Sequence, residues 1–205
     1  MTVIIDYGVG NLFSLRSSFA AIGHEAVVSK DIEVIRKAKR LVLPGVGAFE
    51  DAVRKLRESG LYEEVKAQAL SGKPLMGICL GMQMLFEKSY EYGEHEGLGL
   101  LKGNIVPFEG RIDSKLRIPN IGWSDLKIKK TDSPIFKYIK DGDFVYFVHS
   151  YFAADCDASV AATSEYGIEF TAAVSDGNIF GCQFHPEKSG DTGLAILRGF
   201  CEIGE

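Results

Sequence analysis

Apolar residues follow two rhythms along this chain. Through residue 90, short unbroken apolar runs alternate with stretches where apolar positions recur every three or four residues. Thr2–Asp6, Glu25–Ser29 and Arg40–Leu43 are runs of strand length. Leu12, Leu15, Phe19 and Ile22 mark one face of a helix that Gly23 ends, and Phe49, Ala52, Val53 and Leu56 mark another. Asp31 is placed to cap a short helix carrying Ile32 and Ile35. A further helix is expected from about Leu61 to Leu70, stopped by Gly72 and Pro74. Leu75, Met76 and Ile78 then read as a fourth strand. Strands alternating with helices predict a parallel sheet with helices on both faces, and ligands there bind beyond the carboxyl ends of the strands. The turns at Tyr7–Asn11, Gly45–Gly47 and Gly77–Gly81 all fall on that rim.

After Tyr90 the rhythm changes. Residues 91–103 are rich in Gly and Glu and read as a surface loop. Short β-like runs follow at Asn104–Phe108, Gly122–Ile128, Asp143–Tyr151, Val160–Glu165, Glu169–Ser175 and Ile179–Phe184. Asp141-Gly142 and Asp176-Gly177-Asn178 are turn residues that predict antiparallel hairpins. Gly193–Ile203, with Leu194, Leu197, Phe200 and Cys201 on one face, predicts a C-terminal helix. No linker or repeat interrupts the chain. The expectation is one domain over residues 1–205, α/β, with a mostly parallel central sheet flanked by helices and an antiparallel C-terminal β extension.

Composition narrows the class. With 46% hydrophobic and 25% charged residues, the 205-residue chain is ordinary for a soluble protein with a sizeable core. A net charge of −5 without a basic cluster argues against nucleic acid as the main partner. No apolar stretch reaches the roughly 18 residues of a membrane span, and Met-Thr-Val-Ile-Ile-Asp lacks the basic start of a signal peptide. The four cysteines (Cys79, Cys156, Cys182, Cys201) are widely spaced and lack metal-ligand or disulfide-framework spacing, so a reducing cytoplasm and no metal are expected.

The chemistry concentrates in residues 74–87. The apolar strand breaks at Gly77-Ile78-Cys79-Leu80-Gly81, after which Met82, Leu85 and Phe86 return at helical spacing. Strand, tight turn and helix with a cysteine at the apex parallel the Gly-x-Ser-x-Gly nucleophile elbow. Glycines suit a crowded turn with unusual dihedrals. A cysteine between apolar neighbours is also an ordinary core residue, so context decides. That context is Phe184-His185-Pro186-Glu187, which closes the last strand. Residues i and i+2 of an extended chain point the same way, so His185 and Glu187 project together. A carboxylate that orients an imidazole lets it activate a thiol, which favours a Cys79–His185–Glu187 triad. The main-chain N–H of Leu80 and the Gly45–Gly47 loop are candidate oxyanion donors, and that loop reads equally well as a turn leading into a helix. Gly8-Val-Gly10 lacks the third glycine of a dinucleotide fingerprint and reads as a structural turn.

Gly77-Ile-Cys-Leu-Gly-Met-Gln83 with His185-Pro-Glu187 resembles the class I, triad-type glutamine amidotransferases. Asp6-Tyr-Gly-Val-Gly-Asn11, Pro44-Gly-Val-Gly47, Pro119-Asn-Ile-Gly-Trp123, Tyr146-Phe-Val-His-Ser-Tyr151 and His185-Pro-Glu-Lys188 narrow the resemblance to the glutaminase subunits of imidazole glycerol phosphate synthases. The match runs along essentially the whole chain. It departs at Ser124, where that group often has asparagine.

The resemblance implies a flavodoxin-like fold and no cofactor. Cys79 would attack the glutamine side-chain amide, His185 would act as base and then acid, and Glu187 would orient His185. The N–H groups of Val46 or Gly47 and of Leu80 would hold the oxyanion. Gln83, Ser150 and Tyr151 would bind glutamine, although Gln83 also reads as a solvated helix residue and the other two as core strand. The implied partner is a (βα)₈-barrel cyclase subunit that receives ammonia and forms a heterodimer. Asn11, Asn120, Trp123, Tyr146 and Lys188 would lie at or near that interface, although each also has an ordinary structural reading. Trp123 and Lys188 suit it best, as an aromatic and a long cation. Rival readings are a paralogue feeding another synthase, for instance one amidinating a nucleotide sugar, a stand-alone cysteine hydrolase, and a docking pseudo-enzyme. An intact triad tells against the last.

Overall fold

In the computed structural model, which describes residues 1–204, four short runs become neighbouring parallel strands. They are β1 (Thr2–Ile5), β2 (Ala26–Ser29), β3 (Arg40–Leu43) and β4 (Leu75–Ile78). Every residue of β1, β3 and β4 is buried, which explains unbroken apolar runs in place of alternation. Between them cross α1 (Leu12–Ala21), α2 (Ile32–Lys37), α3 (Phe49–Glu58) and α4 (Leu61–Leu70). Asn11 caps α1 through Ser14 N, and the Asp31 carboxylate caps α2 by accepting from Glu33 N (2.8 Å) and Val34 N (3.4 Å).

The second half comprises α5 (Leu80–Gln83), β5 (Phe86–Ser89), β6 (His95–Glu96), β7 (Leu101–Pro107), β8 (Asn120–Asp125) and β9 (Lys127–Ile128). There follow β10 (Phe144–His149), β11 (Tyr151–Ala154), β12 (Val160–Tyr166), β13 (Ile168–Asp176), β14 (Ile179–Cys182) and α6 (Gly190–Cys201). The central sheet has eight strands in the order β2-β1-β3-β4-β14-β13-β12-β9. β14 returns parallel to β4, and the strands beyond it run antiparallel. This is the mostly parallel α/β sheet with antiparallel additions that the hydrophobic pattern predicts. Successive residues of β3 feed opposite layers. Leu41 and Leu43 pack with Phe49 and Leu56 of α3 and with Leu61 of α4. Val42 joins Leu15 and Phe19 of α1 and Phe200 of α6 on the other face.

Three expectations are corrected. The helix after Cys79 is a single turn, and Phe86 opens strand β5 instead of continuing it. Met82, Met84, Leu85 and Phe86 are all fully buried, so helical spacing had no polar face to contrast with. Backbone N–H groups of Leu98 and Leu100 also take the Met84 and Leu85 carbonyls. Residues 91–103 contain β6 and the start of β7, and Leu98 and Leu101 are core residues. The run Asp143–Tyr151 breaks at Ser150: β10 pairs with β8 in a separate two-stranded ribbon, and β11 pairs with β7 in a third sheet. The antiparallel strands are therefore shared among three sheets. Of the two expected hairpin turns, Asp176-Gly177-Asn178 joins β13 to β14, and Asp141-Gly142 leads into β10, which pairs antiparallel with β8 of the preceding run; β12–β13 is a further hairpin. Among the described residues no helix is long and apolar enough to cross a membrane.

Leu56 is wholly enclosed between α3 and the sheet. Leu56→Ala is expected to cost about 3 kcal/mol, seen as a lower urea midpoint with an unchanged slope.

Candidate active site

β4 carries Cys79 to the carboxyl edge of the parallel sheet, where the chain reverses into α5. Cys79 has φ 53° and ψ −113°, a backbone state rare for a side chain other than glycine and costing about 1–3 kcal/mol. Its N–H donates to Cys182 O at 2.7 Å, and its carbonyl accepts from Gln83 N at 3.1 Å. The glycines of the elbow serve close approach. A Cβ on Gly81 would overlap Leu43 O, and one on Gly77 would lie 2.6 Å from Gly81 O and Met82 N. Gly45 faces the same backbone, since its Cβ would lie 2.6 Å from Gly81 N.

β14 carries the other half of the site. The strand ends at Cys182, and Pro186–Lys188 forms one turn of 3₁₀ helix. The extended-chain argument for His185 and Glu187 is thus replaced: the turn folds Glu187 back onto the ring. Glu187 Oε1 lies 2.9 Å from His185 Nδ1, and both side chains are buried. Nδ1 is occupied by the carboxylate, which leaves Nε2 for the thiol. Burial works against the charged imidazole. Hydrogen bonds to Cys79 and Glu187, and the negative charge of both, still raise His185 from 6.5 to about 9.

A cavity of about 290 Å³ opens over Cys79 and His185. Val46, Gly47, Leu80, Gln83, Ser150 and Tyr151 line it, so the expected oxyanion and substrate residues converge there. Gln83 is buried: its amide nitrogen donates to Tyr151 O (3.1 Å) and Gln183 Oε1 (3.0 Å). The Gly45–Gly47 loop is held from below, where Tyr7 Oη donates to Pro44 O at 2.7 Å. Burial and the nearby Cys79 charge push the Tyr7 phenol up, so it remains a donor. Gly10 presses on Pro44 as well, with φ 116° and a Cβ position 2.8 Å from Pro44 Cβ, which makes Gly8-Val-Gly10 the structural turn expected.

Two titratable lining residues, Glu91 and His149, escaped the sequence reading. Glu91 Oε2 accepts from Phe49 N at 2.5 Å and so caps α3, whose N-cap Ala48 has no acceptor of its own. Burial raises the Glu91 carboxyl, and the Phe49 N–H partly offsets this. That N-cap gap was the only signal in the chain. His149 donates Nδ1–H to Tyr151 O (2.9 Å) and accepts from Asn120 Nδ2 (3.2 Å). Burial drives it down to about 4, so it stays neutral.

Of the residues expected at a partner surface, Asn120 differs. It is 3% exposed and its amide is committed to His149, because alternation along β8 turns it inward. Asn11 serves as the cap of α1. Trp123 is 54% exposed, lies edge-on to Tyr146 (5.9 Å), and Lys188 Nζ sits 5.9 Å over the Tyr146 ring. Ile121 and Phe144 extend this exposed face. Its backbone touches the site: His185 N donates to Tyr146 O at 3.0 Å. A larger open depression of about 480 Å³ near Cys156 has no imidazole beside its thiol, which burial pushes up.

The family model for glutamine amidotransferase class-I matches residues 3–202. The chain belongs to the class-I glutamine amidotransferases. It is 50% identical over 204 residues to the imidazole glycerol phosphate synthase subunit HisH of Caldanaerobacter subterraneus subsp. tengcongensis, covering 99% of this chain and 98% of that one. It is 49% identical to the protein of the same name from Lactococcus lactis, covering 98% and 97%. In fold it is similar to a crystal structure of a glutamine amidotransferase, with a TM-score of 0.74, 21% identity and coverage of 97% and 98%. It is equally similar to PurLQS from Thermotoga maritima, with a TM-score of 0.74, 21% identity and coverage of 98% and 96%.

Gly81→Ala is expected to abolish glutamine hydrolysis, because the added methyl displaces Leu43 and with it the elbow. Glutamate release reads the loss, and circular dichroism is expected to show retained secondary structure.

Proposed function

We propose that the chain is the glutaminase subunit of imidazole glycerol phosphate synthase and works as one domain in the cytoplasm. The observation that carries this reading is the Cys79–His185–Glu187 constellation beneath a cavity sized for a free amino acid. End-to-end similarity to subunits bearing that synthase's name supports it.

Glutamine enters with its α-ammonium toward the Glu91 carboxylate and its backbone along Ser150 and Tyr151. The Cys79 sulfur attacks the side-chain amide carbon, and the carbonyl electrons move to oxygen. Main-chain N–H groups of Leu80 and of Val46 or Gly47 receive that oxyanion. His185 Nε2–H gives its proton to the departing nitrogen, the C–N bond breaks, and ammonia leaves a γ-glutamyl thioester. His185 then takes a proton from water, hydroxide adds to the thioester, and the C–S bond breaks to return Cys79 and release glutamate. Glu187 holds the imidazole in one tautomer throughout.

Ammonia in bulk water at neutral pH becomes ammonium and loses its nucleophilicity, so a partner must receive it directly. The exposed face of Ile121, Trp123, Tyr146, Phe144 and Lys188 fits that partner, a (βα)₈-barrel cyclase forming a heterodimer with this chain. Its aromatic pair Trp123 and Tyr146 lies with Lys188 beside the backbone that anchors His185.

Glutamate release by the chain alone, with the cyclase, and with cyclase plus its nucleotide ligand tests the reading. Strong stimulation in the full mixture is expected, and activity indifferent to the cyclase refutes it. Cys79→Ala is expected to abolish glutamine-dependent synthesis while the complex still works with added ammonium. Loss of both reactions would instead assign Cys79 to assembly. The pH profile follows from His185: activity is expected to fall as pH rises through about 9, where the imidazolium that protonates the leaving nitrogen is lost. Removing the Glu187 charge lowers that point, so Glu187→Gln moves the alkaline fall toward neutrality in a pH–rate profile.

A further inference from the structure

A third side chain reaches the nucleophile. Gln183 is fully buried on the segment between β14 and His185, and its Nε2 lies 3.8 Å from Cys79 Sγ. We infer that Gln183 donates an N–H to the Cys79 sulfur and that Gln83 fixes the amide in that orientation. The inference rests on Cys79 being the nucleophile of the proposed glutaminase.

The hydrogen-bond network sets the direction of each amide. Tyr151 O can only accept, and it already accepts from His149 Nδ1. The group of Gln83 that faces Tyr151 O at 3.1 Å is therefore its nitrogen. The same nitrogen has a second hydrogen, which goes to Gln183 at 3.0 Å, so Gln183 presents its oxygen there. Its NH₂ is left facing the sulfur. Both amides are buried, so water does not compete for these positions.

The sulfur thus has two donors, His185 and Gln183, and as a thiol it can itself donate to Val148 O at 3.9 Å. They differ in kind, because the imidazole gives up its proton during turnover and the amide does not. A hydrogen bond to a charged acceptor is stronger than one to a neutral acceptor. The Gln183 N–H therefore favours the anionic sulfur over the thiol and over the thioester. It acts twice. Before attack it favours sulfur in its nucleophilic form, and in deacylation it stabilises the negative charge that returns to sulfur as the C–S bond breaks. Gln83 touches no reacting atom in this scheme and is a positioning residue.

Alkylation of the full chain by iodoacetamide over the neutral and alkaline range tests the inference, with the Cys79 peptide quantified by mass spectrometry. Gln183→Met keeps length and removes the donor. It is expected to slow Cys79 alkylation at neutral pH by about tenfold, with the rate recovering as pH rises. Gln83→Met is expected to move the profile the same way by a smaller factor. In glutamine hydrolysis with the cyclase complex, Gln183→Met is expected to lower kcat and leave KM nearly unchanged. Superimposable alkylation profiles, or a change in KM alone, overturn the inference. Cys182, fully buried on the adjoining strand, reports the fold. If it becomes labelled in Gln183→Met, that variant has opened and the Gln83→Met profile decides by the same two outcomes. Glutamate production that survives complete Cys79 alkylation refutes Cys79 as the nucleophile instead, and the profiles still decide whether Gln183 donates to its sulfur.

Discussion

Three backbones pass within side-chain-free distance at the carboxyl edge of the sheet, and the rest of the site depends on that approach. Gly81 lies against Leu43 at the end of β3, Gly77 against Gly81 and Met82, and Gly45 against Gly81 in turn. The packing leaves the chain at Cys79 a single way through, at positive φ, and the pairing of Cys79 N with Cys182 O holds it there. The elbow and the loop over it form one compact unit, so the Cys79 thiol and the expected oxyanion donors share a common reference. Strain at one residue is sustained by packing around it.

Electrostatics then separates two buried histidines on the same rim. His185 meets Glu187 and Cys79, both favouring its charged form, and rises to about 9 despite burial. His149 loses its hydration on burial, is only partly compensated by the Tyr151 carbonyl, has the His185 charge nearby, and drops to about 4. One ring is therefore suited to moving a proton, and the other is a fixed structural link between Asn120 and Tyr151. The difference comes from what each ring touches, since both are almost inaccessible.

Much of this was legible because the local signals agreed. Gly23, Asp31, Gly72 and Pro74 bounded elements where the chain turns, and the unbroken runs at Arg40–Leu43 and Leu75–Ile78 proved to be strands covered on both faces. Cys79 and His185-Pro-Glu187 pointed to one site through residue chemistry, although Glu187 arrives by a 3₁₀ turn instead of strand alternation. What could not be read was set by distant partners. The end of α5 depends on Leu98 and Leu100 taking carbonyls that a longer helix would need. The break at Ser150 depends on β8 and β7 claiming successive stretches of one apolar run. That Asn120 turns inward was equally hidden, because its partner His149 lies on another strand.

The carboxylate of Glu91 has an evolutionary consequence. One group closes the first turn of α3 and also faces the cavity. A lineage drifting toward a different small substrate cannot retune this wall of the pocket independently, because each change at position 91 also unties a helix. Stability of the scaffold and the shape of this pocket wall are thereby tied to one side chain. Tyr92 beside it, 87% exposed and edge-on to Tyr151, carries no such double duty.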